Sequence, residues 1–167
     1  MCDKSRCLAT IKLIRLALVM IPILCASSRY SASTQRCESR RTEVVNILSA
    51  EGVKDPDFFY FLALAESTCK DEAVSRSGAK SMWQMMPWLI GNNDPLDWRL
   101  MTQIAGRYIA SIQSRQTVSD NWITVAGWNT GFTNLRRGCP TLSHKCVSER
   151  FPQAAALADT VTKWSKL

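Results

Sequence analysis

The chain has a single histidine, His144, among 167 residues. That scarcity closes several chemistries. One histidine two positions before Cys146 matches no usual zinc spacing, so no metal site is expected and no cofactor is implied. A Cys–His nucleophile pair is equally unsupported in an oxidising compartment. Long apolar runs are missing too: the stretch Leu16–Cys25 is about half of the ~20 residues a membrane span needs. No repeat of solenoid period occurs, and nothing approaches collagen, coiled-coil or low-complexity composition. Basic residues outnumber acidic ones, 21 to 14, yet they are scattered. The only adjacent pairs are Arg40-Arg41 and Arg136-Arg137, which read as solvated surface. No nucleic-acid partner follows from such a distribution.

What remains is a globular chain. Hydrophobic residues make up 46% and charged residues 21%, which excludes disorder. The first 28 residues read as a leader. Lys4, Arg6, Lys12 and Arg15 precede the apolar run, and Ala26, Ser27 and Ser28 follow it. That order is a secretory signal peptide, with an uncleaved anchor as the alternative. Lipidation at Cys25 is disfavoured by Ile23 and Leu24. Without this leader, which holds those four cations and Asp3, the formal charge falls from +7 to +4. A mildly basic body suits an anionic polymer. Residues 29–167 then form one domain, exported to the periplasm or the extracellular space.

Three of the seven cysteines, Cys2, Cys7 and Cys25, fall in the leader. The body keeps Cys37, Cys69, Cys139 and Cys146, an even number that reads as two disulfides in an exported protein. Three connectivities are open. We favour Cys37–Cys69 and Cys139–Cys146, whose loops are worth about 3.7 and 2.5 kcal/mol in the chain-entropy account.

The body reads as helices. Val44, Val45, Ile47 and Leu48 have helical spacing over about 38–50, with Gly52 beyond the end. Asp55-Pro56-Asp57 predicts a helix start, with Asp55 as the capping acid, continuing through Phe58, Phe59, Phe61, Leu62 and Ala65 to about Ser67-Thr68. This helix is apolar on most sides and should be central. Asp94-Pro95 predicts another start, running to about Arg115, and Asp120 caps a fourth helix that stops at Asn129 and Gly131. A last helix covers about Pro152–Trp164. Ser75–Pro87 lacks helical periodicity and reads as a hairpin or irregular insert.

Glu66 closes the central apolar helix, one turn beyond Leu62 and Ala63. Burial and the negative end of the helix dipole both penalise its ionised form, so its pKa should be raised. A carboxylic acid protonated near neutral pH is what glycosidic cleavage needs as general acid. The plain alternative is a surface glutamate at a fraying helix end.

Four ordered blocks then carry a resemblance. They are Ala65-Glu66-Ser67-Thr68; Ala73-Val74-Ser75 with Ser77-Gly78-Ala79 and Met82-Trp83-Gln84-Met85-Met86-Pro87; Asp97 to Tyr108; and Ala126-Gly127-Trp128-Asn129-Thr130-Gly131. Together, over about 55–135, they resemble the catalytic region of lytic transglycosylases, in the lysozyme-like superfamily that includes goose-type lysozyme. Ser81 and Trp128 depart from the family's usual glycine and tyrosine, and the stretch after Gly138 lacks a clear match.

The resemblance implies a mainly α, lysozyme-like α+β domain with a short irregular or hairpin insert after the catalytic helix. It implies that Glu66 acts first as acid and then as base on peptidoglycan, giving 1,6-anhydromuramoyl ends. Gln84 and Asn129 would hydrogen-bond sugar or hold Glu66, Ser75 would line the glycan subsites, and Trp128 is the favoured sugar platform. Gln84, in an apolar run, is costly unless partnered; Asn129 could serve only as a left-handed helix stop. Trp83, Trp88 and Trp98 could also stack on sugars, but like Met82, Met85 and Met86 they are expected in the core. A goose-type muramidase would need a second carboxylate, for which Asp94 and Asp97 are candidates. A wall-binding module without turnover is the third reading. The expected partners are peptidoglycan glycan strands. Small size fits a local role beside an envelope-spanning secretion or conjugation machine.

Overall fold

The computed structural model describes residues 34–117 and 119–167. The leader reading of residues 1–28 lies outside the described residues. The fold is mainly helical. Helix α1 covers 34–50. It is followed by α2 (Pro56–Ser67), α3 (Pro87–Ile90), α4 (Trp98–Ser114), α5 (Asn121–Thr130), α6 (Phe132–Gly138), α7 (His144–Arg150) and α8 (Pro152–Trp164). No helix among the described residues is long and apolar enough to cross a membrane.

Helix α2 buries Phe58, Phe59, Tyr60, Leu62 and Ala63, as a helix apolar on most sides must. Helix α8 lies along both α2 and α5. Helix α4 is amphipathic and turns Met101, Ile104, Ala105, Ile109 and Ile112 into the same core. Two bridges clamp the ends of this assembly, Cys37–Cys69 and Cys139–Cys146. The first ties α1 to the segment just past α2. The second ties α6 to α7.

The insert between α2 and α3 is barely a sheet. Single antiparallel bridges join Val74 to Lys80 and Lys80 to Met85. Ser81 sits in this turn at φ 71°, fully buried, with its Oγ accepting from the Trp83 N–H at 3.2 Å. A left-handed φ costs a residue with a Cβ about 1–2 kcal/mol, which explains the family's glycine here. Ser81→Gly is therefore expected to unfold about 1 kcal/mol above Ser81→Ala, since both lose the hydroxyl and differ only in the Cβ. Equal denaturation midpoints for the two variants would show that the turn carries no strain.

Two helix starts differ from expectation. Asp55 adopts φ 58° and makes no capping bond; its carboxylate accepts instead from Asn121 Nδ2 at 2.8 Å, linking α2 to α5. Asp94 holds a local turn by accepting from the Leu96 N–H, and α4 starts four residues later, at Trp98. Its cap is Asp97, which accepts from the N–H groups of Arg99 and Leu100, both at 3.1 Å. Proline at position 95 thus opens a turn that precedes the helix rather than the helix itself. Arg40 also differs from a solvated surface group. It forks onto Asp71 at 2.7 and 2.9 Å and stacks over Trp98. His144 pairs with Asp120 at 2.8 Å and lies flat on Trp122.

Candidate active site

The C-terminal end of α2, the insert, α3, α4 and the α5–α6 joint surround a cavity of about 380 Å³. Its walls include all five residues singled out in the sequence: Glu66, Ser75, Gln84, Trp128 and Asn129. They meet because α2 delivers Glu66 from one side and α5 delivers Trp128 and Asn129 from the other. Close packing at the joint needs Gly127, where a Cβ would come within 2.9 Å of the Phe132 ring. It also needs Gly131, which turns directly from α5 into α6 at φ 78°.

Glu66 is partly buried, and the Trp128 indole N–H donates to its Oε1 at 3.0 Å. Burial pushes its pKa from 4.5 to about 7, partly opposed by that indole hydrogen bond, which favours the carboxylate. The helix end is held in place by the next residue. Ser67 Oγ donates to the Met82 carbonyl at 2.7 Å and accepts from the Lys70 N–H. Thr68 and Cys69 then turn the chain through left-handed conformations, and Cys69 is bonded to Cys37.

Neither Gln84 nor Asn129 holds Glu66. Gln84 has a left-handed φ of 49° and its Nε2 donates to the carbonyls of Ala73 and Ser81, so the amide braces the insert. Asn129 lies within α5, not at its stop; Gly131 takes the positive φ. Its side chain is exposed in the cavity and has no protein hydrogen-bond partner among the described residues. Ser75 builds the turn it lines: its Oγ accepts from the Ala79 N–H and contacts Ser77 Oγ. Trp128 is only 9% exposed, packed between Trp83 and Tyr108. Little of its ring is therefore open to the cavity it lines.

Sequence reasoning placed Met82, Trp83 and Met85 in the core, and they are buried there. It also placed Met86 and Trp88 in the core. Both instead line the cavity and are exposed, 38% and 69%, because Met86-Pro87 starts the short helix α3 on the rim. Tyr108 closes the third sequence block and was given no role in the site. It lines the cavity, and burial raises its phenol pKa. Glu66 is the one carboxylate on this wall among the described residues. Asp94 and Asp97 are turn and cap residues outside it.

A family model described as transglycosylase SLT domain matches residues 44–141, more than half of the chain. The chain belongs to this family. No curated protein and no solved structure matches it. The matched span holds Glu66, the insert, α4, α5 and α6. The SLT domain is of lytic transglycosylase type and its substrate is peptidoglycan.

Proposed function

We propose that this SLT domain is an active lytic transglycosylase that cleaves the β-1,4 bond between N-acetylmuramic acid and N-acetylglucosamine without water. The observation that carries the reading is the single carboxylate on the cleft wall. An inverting hydrolase needs two carboxyl groups roughly 6.5–9.5 Å apart, one of them to activate water. A nucleophile supplied by the substrate needs only one.

Glu66, protonated, donates its proton to the glycosidic oxygen as the C1–O bond breaks. The N-acetylglucosamine side leaves as an alcohol. The muramoyl C6 hydroxyl then attacks C1, and its proton passes to the Glu66 carboxylate. A 1,6-anhydro ring forms and Glu66 ends protonated, ready for another cycle. Using one group as acid and then base calls for a pKa near the working pH, and about 7 meets that demand. The Trp128 N–H holds the carboxylate in its basic phase. The free amide of Asn129 is suited to a sugar hydroxyl or acetamido group. Export, guided by residues 1–28, and work beside a secretion or conjugation machine belong to the same proposal.

Mass spectrometry of soluble products from purified peptidoglycan tests it. Muropeptides ending in 1,6-anhydromuramic acid are expected. Reducing ends would assign a muramidase, and intact strands bound without cleavage would assign a wall-binding module.

A further inference from the structure

The cavity that holds Glu66 continues past Trp88. A second depression of about 270 Å³ adjoins it, sharing Trp88, Tyr108, Gly131 and Asn134 and ending at Arg115. Of the six tryptophans, Trp88 alone is exposed, so the core has no use for its ring. Its orientation is nevertheless fixed. It stands edge-on to Tyr108, with centroids 6.1 Å apart, and Tyr108 leans on Trp128 at 5.7 Å. An indole held this way on a saccharide groove offers an apolar face for a pyranose ring and a polar edge for its hydroxyls.

Arg115 stands at the far end, exposed at the C-terminus of α4. Its guanidinium lies over the Phe132 ring at 5.1 Å, and its Nε donates to the Ser111 carbonyl at 2.9 Å. Both contacts orient the group. Neither terminal nitrogen has a protein acceptor among the described residues. No carboxylate lines the second depression, and Asp120, which shares another depression with Arg115, is engaged by His144. An oriented guanidinium whose two terminal nitrogens are free fits a carboxylate.

We propose that Trp88 and Arg115 form a further glycan subsite, one that takes a saccharide whose substituent ends in a carboxylate: the muramoyl unit with its stem peptide. Trp88 stacks on the sugar, and Arg115 reads the peptide's carboxylate. This rests on the peptidoglycan reading above. The domain thereby prefers strands with free stem-peptide carboxylates to strands in which these are amidated.

Two substrates separate these roles: purified glycan strands with free stem-peptide carboxylates, and the same strands after those carboxylates have been converted to amides. Binding is measured by calorimetry in a Glu66→Gln background, where strands stay intact, and turnover is measured in the wild-type background. Arg115→Gln is expected to weaken binding of strands with free carboxylates about tenfold and to leave amidated strands within twofold. Trp88→Ala is expected to weaken both about tenfold, with Trp88→Phe restoring most of the loss. Equal effects of Arg115→Gln on the two substrates, or wild-type binding by Trp88→Ala, would overturn the subsite. Loss of that discrimination while wild type still yields anhydro products refutes the subsite alone. Discriminating binding without anhydro products refutes the reaction and leaves the subsite standing.

Discussion

Glu66→Gln is expected to lower glycan cleavage by roughly 10²–10⁴-fold while raising the stability of the protein above pH 7. The two effects have one origin. The amide keeps the shape of the carboxyl group and its place under Trp128, yet it neither delivers nor accepts a proton. In the wild type, burial holds the Glu66 pKa at about 7 against 4.5 for the free side chain. Between those values the folded state binds a proton that the unfolded state releases, so stability falls as pH rises from about 4.5 to 7. Below that window the protonated acid carries no penalty. Above it the full cost of a buried carboxylate is present, up to about 3 kcal/mol. Glutamine carries no such cost. Melting curves of both proteins at pH 4, 6 and 8 should therefore diverge with rising pH, the variant staying higher. Cleavage by the wild type should fall on the alkaline side as Glu66 ionises. Parallel melting curves would mean that Glu66 titrates normally, and wild-type clearance by the variant would remove it from the chemistry.

The position of Glu66 was legible because three local signals coincide: an apolar helix, an acid at its last turn, and a serine beside it that anchors the end. Helix starts were read less well, since acid-proline pairs at 55–56 and 94–95 look alike in sequence. The first opens a helix without capping it; the second opens a turn, and Asp97 does the capping. Helix α6 was not predicted. Only Gly131 separates it from α5, so the periodicity shows one interrupted segment. Helix α7 was hidden by its length and by the disulfide that encloses its start. The cleft rim was misread for a different reason. Met86 and Trp88 carry core-like side chains, and only a tertiary fact, the seating of a four-residue helix at the surface, exposes them. Composition identifies what a side chain prefers; it does not say which apolar groups the fold leaves uncovered for a ligand.

Trp128→Phe should separate the electrostatic role of this residue from its packing, and Trp128→Ala should abolish both. The ring is 9% exposed and wedged between Trp83 and Tyr108, so truncation to alanine opens a cavity costing about 3–5 kcal/mol. Phenylalanine keeps most of that contact and loses only the N–H that reaches Glu66 at 3.0 Å. That bond favours the carboxylate, so its removal moves the Glu66 pKa further upward. The alkaline limb of the rate profile should shift to higher pH. Turnover should fall about tenfold, the worth of a charge-assisted hydrogen bond of about 1.5 kcal/mol that orients the base in the second step. Trp128→Tyr restores a donor together with the family's usual residue and should recover much of the rate. The readouts differ in kind: melting reports the ring, and the pH profile reports the N–H. A Trp128→Phe protein with wild-type rate and an unmoved pH profile would show that the indole only fills space, and that Glu66 owes its pKa to burial alone.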